Sequence, residues 1–331
     1  MAQTVVVTGA NGFIGLPLCS LLVRAGTDVR AAVRRESAAL AELTADPSTD
    51  SIKRGRLRQV VVGDLATATD WSAALDGAEA VVHLAARVHV APGQGQGQAD
   101  SDRFREINID ATLRLAAAAA HARVRRLVFV SSAKAGNGNE DGASDPYSRS
   151  KAEAERLLGE ASRHPGLECV IVRPPLVYGP RVKANFLRLM RLVDSGVPLP
   201  LASVANHRSL LFVGNLADAL TTCIGHPRAA GQAFSVSDGE DVSTPELVRR
   251  IAHALGRPAR LFPFPVALLR LAGGLAGQRQ AVDRLTGDLA IDSSPITAAL
   301  GWRAPFSMEH GLAETAAWYR ARRDGTAGWK R

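Results

Sequence analysis

The chain has 331 residues, of which 46% are hydrophobic and 22% charged, a composition typical of a globular protein and unlike that of a disordered, collagen-like or coiled-coil chain. Its formal charge is +8, but the basic residues are scattered and aromatic residues make up only 5% of the chain, so we expect a general attraction to anions and no nucleic-acid partner. Its three distant cysteines form no CxxC pair, which argues against a disulfide framework or a metal site and favours a reducing, cytoplasmic compartment.

Short β-branched runs alternate with helical patterns through the first half of the chain. The predicted strands cover residues 4–8, 29–33, 59–62, 80–83, 127–131 and 169–172, and the predicted helices cover residues 14–24, 71–75, 102–121 and 148–163. Several strands are continuously apolar, as is typical of parallel strands buried on both faces. The sequence therefore predicts an α/β fold with a doubly wound parallel sheet of the Rossmann type.

Prolines and glycines become frequent after Arg173-Pro174-Pro175. We expect a Rossmann domain over residues 1–175 and a smaller mixed α/β substrate lobe over residues 176–331, which contains short strands such as 233–236 and from which a strand can return to the sheet. The apolar stretch 262–276 is interrupted by prolines, Arg270 and a glycine pair. It predicts a buried or surface helix, with membrane-surface contact as a less favoured alternative and no stable membrane insertion.

A glycine-rich turn joins the first strand to the first helix. Residues 8–15 read TGANGFIG, and this context is the one that a dinucleotide-binding fingerprint requires. Gly9 permits the sharp turn, Gly12 lets the backbone approach a pyrophosphate, and Gly15 lets the helix pack closely on the strand. Asn11, Phe13 and Ile14 complete the turn at the helix N-terminus, where phosphate is favoured.

Basic residues follow the second strand, where an acidic residue would bind the ribose hydroxyls of NAD. Arg34 and Arg35 suit a 2′-phosphate instead, although such a pair can be accidental in an arginine-rich chain. We therefore predict NADP(H) as the preferred cofactor, with NAD(H) as the alternative. Asp64 and Leu65 follow the third strand and are predicted to hold the adenine amine.

The segment after the fourth strand reads His83-Leu84-Ala85-Ala86. We expect the backbone of Leu84, Ala85 and Ala86 to pass beneath the cofactor and His83 to be a packed histidine at the strand end. The glycine- and glutamine-rich stretch 93–98 reads as a loop, either a lid or a tolerated surface loop.

The candidate chemical site follows the fifth strand. Tyr147 and Lys151 are four residues apart, which places them on one face of a helix. We expect the lysine ammonium to lower the pKa of the tyrosine, which then exchanges a proton with a carbinol or carbonyl while hydride moves to or from nicotinamide. Ser131 and Ser132 end the fifth strand, where a serine hydroxyl can bind the reacting oxygen.

These motifs, together with RPPLVYGP at 173–180 and LGW at 300–302, resemble the extended short-chain dehydrogenase/reductases, in their nucleotide-sugar epimerase/dehydratase/reductase branch. The resemblance covers essentially the whole chain. It implies a catalytic triad of Ser132, Tyr147 and Lys151, an asparagine at Asn108 that supports the site, and a segment from Pro174 to Val177 that lines the nicotinamide. It also implies a homodimer formed by helices 102–121 and 148–163. The residues that it implies for nucleoside diphosphate binding are Asn185, Phe186, Pro200, Arg208 and Arg284.

The sequence departs from the family pattern after the fifth strand. Lys134 stands in that loop, where it either meets a substrate oxygen or phosphate or is merely solvated, and the glutamate that a sugar 4,6-dehydratase needs is missing. Two reactions on a UDP-sugar remain. The preferred one is NADPH-dependent reduction of a UDP-4-keto-6-deoxy-hexosamine at C4, in surface polysaccharide synthesis, and the alternative is 4-epimerisation with tightly bound NAD. A non-enzymatic cofactor sensor is disfavoured because both Tyr147 and Lys151 are present.

Overall fold

A computed structural model describes residues 3–43, 55–67, 69–88, 98–135, 145–161 and 166–325 of the chain. The chain divides into two compact units. The first comprises Met1–Pro174, Leu216–Val236 and Ser293–Trp302, and the second comprises Pro175–Asn215, Ser237–Asp292 and Arg303–Arg331. The chain first passes from the first unit to the second between Pro174 and Pro175, and it returns to the first unit twice.

Within these described residues, ten strands form two sheets. They are β1 (Thr4–Thr8), β2 (Asp28–Val33), β3 (Leu57–Val61), β4 (Ala80–His83), β5 (Arg126–Val130), β6 (Glu168–Arg173), β7 (Leu176–Tyr178), β8 (Arg208–Phe212), β9 (Ala233–Ser235) and β10 (Asp241–Val242). The larger sheet is parallel and has the order β3-β2-β1-β4-β5-β6-β9. At one edge of this sheet, β9 pairs with β6. The smaller, mixed sheet has the order β10-β8-β7.

Helices flank the sheets. They are α1 (Gly15–Arg24), α2 (Ala38–Glu42), α3 (Ser72–Leu75), α4 (Gln98–Phe104), α5 (Ala111–His121), α6 (Pro146–Ala161), α7 (Ala184–Asp194), α8 (Val213–Gly225), α9 (Thr244–Leu255), α10 (Val266–Leu275), α11 (Arg279–Thr286), α12 (Ser294–Leu300) and α13 (Met308–Arg323). This arrangement confirms the predicted α/β fold with a doubly wound parallel sheet. Within the parts of the chain described above, no helix is both long and apolar enough to cross a membrane.

The apolar character of the central strands reflects burial on both faces of the sheet. Val5, Val6 and Val7 of β1 are fully buried, and so is every residue of β4 and β5. Because consecutive side chains of a strand point to opposite faces, helices must cover both sides of these strands. In the register of the sheet, Thr8 at the end of β1 lies beside His83 at the end of β4. The strand order reverses at this point, and open α/β sheets bind ligands there.

The predicted helix over residues 102–121 is the element that differs most from expectation. The structure begins it earlier, at Gln98, and places a π-helical segment, Arg105–Asp110, between α4 and α5. The apolar spacing of 102–121 cannot reveal one turn of π-helix, because such a turn shifts the helical phase by only one residue. Of the predicted 93–98 loop, residues 93–97 lie outside the described residues, and Gln98 begins α4.

Candidate active site

The glycine turn after β1 is shaped by close backbone packing. Gly9 has a φ of +65°, and a Cβ there would lie 3.0 Å from the amide nitrogen of Ala85. The Gly12 amide donates a hydrogen bond to the Gly9 carbonyl at 2.9 Å. A Cβ on Gly15 would collide with the Gly9 and Ala10 carbonyls, so this glycine is required by the turn itself rather than by the packing of helix on strand that the sequence suggests.

The start of α1 is the position that the sequence predicts for the pyrophosphate. Ile14 offers no side-chain cap, Leu16 and Leu18 donate to the Gly12 and Ile14 carbonyls at 3.2 Å, and Pro17 has no amide hydrogen, which leaves the Gly15 amide in the first turn of α1 for an anion. Amides at a helix N-terminus carry positive potential and bind phosphate. A Cβ at Gly9 would meet the backbone of Leu84 and Ala85, and one at Gly12 would meet the Gly9 carbonyl, so this turn requires glycine at both positions, as a dinucleotide-binding turn does.

A buried histidine connects the turn to the helix that follows β4. Thr8 Oγ1 lies 2.7 Å from His83 Nδ1, and His83 Nε2 lies 3.0 Å from Thr112 Oγ1. Since the Thr112 hydroxyl donates to the Asn108 carbonyl, it accepts from His83, and the ring is neutral with its proton on Nε2. Burial and the charge of Lys151 lower the pKa of His83 to about 3. This confirms His83 as a packed histidine at the strand end.

The same network holds the segment after β4. The Leu84 and Ala85 amides each donate to Thr8 Oγ1 at 3.2 Å. Leu84, Ala85 and Ala86 are all half-buried. Their backbone thus lies against the glycine turn, as the nearness of Ala85 to Gly9 also shows.

Asn108 lies in the π-helical segment and is buried. Its amide group exchanges two hydrogen bonds with the backbone of Arg87, at 2.8 and 3.0 Å, and donates to Ser150 Oγ at 2.9 Å. Ser150 in turn donates to the Tyr147 carbonyl at 2.7 Å. Asn108 therefore joins the segment after β4 to the first turns of α6, which carry Tyr147.

Tyr147 stands in the first turn of α6, which begins two residues earlier than the sequence predicts. Asp145 caps this helix by accepting from the Ser148 amide at 3.0 Å and from its hydroxyl at 2.9 Å. The Tyr147 ring contacts Phe104 edge-on, with centroids 6.5 Å apart. Burial and the nearby Asp145 carboxylate raise the pKa of Tyr147 to about 12.

Lys151 is buried one turn further along α6. Its Nζ donates to the Val130 carbonyl at 2.8 Å and lies 4.4 Å from the centre of the Phe129 ring. Burial lowers the pKa of Lys151 to about 7, and the Glu155 carboxylate opposes part of this shift. The expected lowering of the Tyr147 pKa by Lys151 is therefore not what the structure shows, because desolvation of both groups is the larger effect.

The loop after β5 brings the candidate serines to the end of the sheet. Ser131 is buried, and among the described residues its Oγ has no hydrogen-bond partner, which makes it a candidate to bind a ligand. Ser132 is half-buried and accepts from the Lys134 amide at 3.3 Å. The Pro174 carbonyl accepts from the Ala133 amide at 2.9 Å and so fixes this loop against the end of β6.

Lys134 is exposed, and its Nζ lies 3.9 Å from the Asp145 carboxylate. That carboxylate also caps α6, so Lys134 lies close to the start of the helix that carries Tyr147.

The residues predicted to bind the adenosine part of the cofactor contain a second exposed pair: Arg34 lies 3.7 Å from Asp64. Arg35 is exposed as well, and Leu65 is half-buried with its carbonyl bound by Arg114 at 2.8 Å.

The remaining sequence-predicted residues belong to the second unit. Val177 is half-buried in β7, Asn185 and Arg284 are exposed, and Pro200 is half-buried. The Phe186 ring is buried and stacks on Tyr178 at 5.3 Å, so only its backbone is available to a ligand. The Arg208 guanidinium donates to the Arg284 and Gly287 carbonyls at the end of α11, so part of its donor capacity is already used.

Sequence reasoning missed Asp145, Thr112 and Ser150. Asp145-Pro146 followed by Ser148 is a helix start signal, with an N-cap residue before a proline, and this signal could have revealed the cap. Thr112 and Ser150 carry no comparable signal, because they meet their partners only through the packing of distant segments. In the described residues, no cluster of three or more potential metal ligands is formed.

Comparisons with known proteins agree with this geometry. The family profile described as "NAD dependent epimerase/dehydratase family" matches residues 5–237. A protein of Vibrio cholerae named UDP-glucose 4-epimerase is 39% identical over 329 residues, which is 96% of this chain and 95% of that protein. A Caulobacter vibrioides protein named ceramide reductase is 28% identical over 338 residues, covering 98% of this chain and 95% of that protein.

A similar fold also occurs among solved structures with bound ligands. MoeE5 in complex with UDP-glucuronic acid and NAD superposes with a TM-score of 0.72 and is 26% identical, covering 97% of this chain and 100% of the MoeE5 chain.

Proposed function

We propose a reaction for this chain from the premise that it belongs to the NAD dependent epimerase/dehydratase family, within the extended short-chain dehydrogenases/reductases. It is an NAD-dependent enzyme of the nucleotide-sugar type. The proposed reaction is 4-epimerisation of a UDP-sugar. The observation that carries this proposal is the 39% identity to a UDP-glucose 4-epimerase over nearly the full length of both chains. This similarity moves the preference from the reductase of the sequence analysis to its alternative.

The residues present fit a dinucleotide. The glycine cradle at α1 suits the pyrophosphate, and the unpartnered Ser131 Oγ offers a buried polar atom to a ligand. We assign dinucleotide binding to the turn from Gly9 to Gly15, to the segment after β4 and to the ends of β2 and β3. The chemistry that bound NAD supplies is the reversible acceptance of a hydride from C4 of the sugar.

In the proposed mechanism, Tyr147 moves the proton of the C4 oxygen. Its pKa of about 12 means that the phenol holds its proton at neutral pH and can donate it when a C4 ketone is reduced. The reverse step requires the phenolate, whose formation the burial of Tyr147 opposes, and the role that we propose for Lys151 in supporting it rests on the family resemblance. Ser132 orients the same oxygen by a hydrogen bond. Asn108 acts as a positioning residue, through Ser150 and the Tyr147 carbonyl.

In the second unit, we propose that Arg284, the backbone at Asn185 and Phe186, and Pro200 bind the nucleoside diphosphate. Arg284 is exposed and can match phosphate oxygens with its planar fork. Arg208 contributes only with the donors that the α11 carbonyls leave free. Lys134 is proposed to meet a substrate oxygen, in exchange for its 3.9 Å pair with Asp145.

A second candidate reaction is reduction of a UDP-4-keto-sugar by exchangeable NADPH. Two observations favour it. Arg34 and Arg35 are exposed at the end of β2, where they suit a 2′-phosphate, and a near full-length relative carries the name of a reductase. In that reaction Tyr147 only donates its proton, which its raised pKa supports.

The nucleotide content of the protein separates the two reactions. We expect freshly purified protein, precipitated with acid, to release close to one NAD per chain, and we expect the untreated protein to interconvert UDP-glucose and UDP-galactose without added cofactor. An empty protein that binds NADPH more tightly than NADH and does not epimerise either sugar would overturn the epimerase proposal in favour of the reductase.

Tyr147→Phe tests the mechanism. We expect turnover to fall at least about a hundredfold, because the proton donor and acceptor is removed, while bound NAD is retained. Tyr319→Phe is the matched control, since it removes a hydroxyl that binds Asp194 at 3.1 Å in the second unit. Retained turnover in Tyr147→Phe, or an equal loss in Tyr319→Phe, would contradict the assigned role.

We also propose a homodimer formed through the helices predicted at 102–121 and 148–163, which correspond to α4, the π-helical segment, α5 and α6. Of these, α4, the π-helical segment and α6 border a surface hollow of about 170 Å³ that Phe104, Ile109 and Pro146 help to line. Light scattering should then give twice the 34.9 kDa chain mass. A monomeric mass at micromolar concentration would contradict the dimer.

A further inference from the structure

One helix of the second unit is apolar on the side that faces solvent. Of the ten residues of α10, all of which the structure describes, only Gly273 is buried. Leu268, Leu271 and Leu275 are 50%, 62% and 85% exposed. Their spacing of three and four residues places them on one face of the helix. A helix of this composition is ordinarily buried in a protein interior, so its exposure requires an explanation.

The opposite face of α10 packs on α11. A Cβ at Gly273 would lie 2.5 Å from a methyl group of Val282, which shows how closely the two helices approach. Arg270 lies on this side, with its Nε 3.3 Å from Thr286 Oγ1 and 3.9 Å from the Asp283 carboxylate. The leucine face is therefore directed away from α11, and it is the part of this helix pair that is left without a partner in the described residues.

Exposed apolar side chains are concentrated here rather than scattered. Nine large apolar side chains are exposed in the described part of the chain, and four of them lie within residues 262–275. They are Phe262, Leu268, Leu271 and Leu275. Single exposed apolar residues are normal on a protein surface, but a group of this kind indicates a contact surface.

The charge around this helix has one sign. Residues 260–284 contain four arginines, all exposed, and a single acidic residue. The arginines are Arg260, Arg270, Arg279 and Arg284. The acidic residue, Asp283, lies 3.9 Å from both Arg270 and Arg279, so the segment keeps a surplus of positive charge. This combination of an apolar face and surrounding guanidinium groups is complementary to anionic lipid headgroups over an acyl layer.

We infer that α10, with Phe262 and the arginines around it, is a docking surface for an anionic lipid bilayer. A ten-residue helix is about 15 Å long, half the thickness of the hydrocarbon core, so α10 lies in the interface and does not span it. The leucines enter the boundary between headgroups and acyl chains, and the guanidinium groups of Arg260 and Arg279 pair with lipid phosphates. Attachment of this kind is reversible and salt-dependent.

The full-length protein tests this by co-sedimentation with vesicles. We expect it to sediment with vesicles of phosphatidylcholine and phosphatidylglycerol in equal parts, to remain in solution with pure phosphatidylcholine, and to be released by high salt. Leu271→Asp combined with Leu275→Asp should weaken binding at least about tenfold. The same kind of change at exposed apolar residues of the first unit, Val61→Asp with Val88→Asp, should leave it unchanged.

Charge is tested separately. Arg279→Glu should weaken vesicle binding more than about fivefold, and Arg303→Glu, at an exposed arginine outside the segment, should have a much smaller effect. Because the leucine side chains are already exposed, the unfolding midpoint of the variant with Leu271→Asp and Leu275→Asp should match that of the parent protein. Equal vesicle binding by the parent protein and the leucine variant would overturn the inference. So would a leucine variant whose oligomeric mass changes while its vesicle binding does not, because that result would assign the leucine face to another copy of this chain.

Discussion

At the scale of single residues, the site depends on short polar contacts between segments that are distant in sequence. Thr8, His83, Thr112 and Asn108 form one chain of hydrogen bonds from the glycine turn to α6. The sequence predicts the location of those network residues that stand at strand ends or in glycine motifs, because their position relative to a strand or a motif is enough to place them. It does not predict the pKa values of Tyr147 and Lys151, because desolvation depends on how completely other segments cover them.

Gly9→Ala is expected to abolish dinucleotide binding. Its φ of +65° strains any side chain, and the added methyl group would lie 3.0 Å from the Ala85 amide nitrogen, so the turn must shift. Gly256→Ala is the matched control, with a φ of +68° and open space around its Cβ. Both variants should lose about 1 kcal/mol of unfolding free energy from strain. Binding titrations with NAD should fail only for Gly9→Ala; full binding by that variant would contradict the cradle.

At the scale of elements, type and order are predictable, whereas boundaries and local departures are not. The strands found at 4–8 and 80–83 match prediction, and the other predicted strands of the sheet differ by one or two residues. The π-helical segment is different in kind. It places Asn108 where its side chain bonds to both Arg87 and Ser150. These contacts depend on tertiary packing, so the apolar periodicity of the helix does not predict them.

The C-terminal end of α8 is stabilised by a buried arginine, a residue type that the sequence alone would place in solvent. Arg126, in the basic cluster with Arg123 and Arg125, is fully buried in β5. Its guanidinium donates to the Cys223 and His226 carbonyls, which end α8, and to Glu168 at 3.0 Å. A cation at a helix C-terminus satisfies carbonyls that have no partner in the helix.

Arg126→Ala should therefore lower the free energy of unfolding by about 3 kcal/mol or more, because it leaves buried carbonyls unpaired. Arg125→Ala removes an exposed partner of the same Glu168, at 3.3 Å, and should cost less than about 1 kcal/mol. Urea denaturation of the two variants measures the difference. Similar losses would show that the burial of Arg126 is not what stabilises the end of α8.

At the scale of the whole molecule, the division of the chain is the least predictable feature. Composition indicates a change near residue 175, and the structure begins its second unit there. The two returns, at 216–236 and 293–302, leave no compositional mark, since helices and short strands on either side of each crossing have similar residues. The parallel sheet itself is predictable because its strands are apolar throughout.

Global stability should fall in mild acid. His83 has a pKa of about 3 in the folded protein, below its unfolded value of about 6.5, so the unfolded chain binds the proton more readily. Its contribution to stability is complete above pH 6.5 and is lost as the pH falls towards 3, by up to about 1.4 kcal/mol for each pH unit.

The comparison of slopes isolates this residue. Unfolding free energy measured between pH 6.5 and pH 5 should depend less steeply on pH in His83→Gln than in the parent protein, since glutamine does not titrate. Equal slopes in the two proteins would assign the acid sensitivity to other groups.

The pairing of β9 with β6 has a consequence for anyone who divides this protein. Ile171, Val172 and Arg173 are matched by Ala233, Phe234 and Ser235, and Phe234 is buried. A fragment that stopped near residue 175 would keep the glycine turn and Tyr147 but would present the bare margin of β6, whose amides and carbonyls recruit strands from other molecules. Such a fragment should precipitate rather than serve as a minimal cofactor-binding domain, and the shortest useful excision would have to carry both returning segments with it.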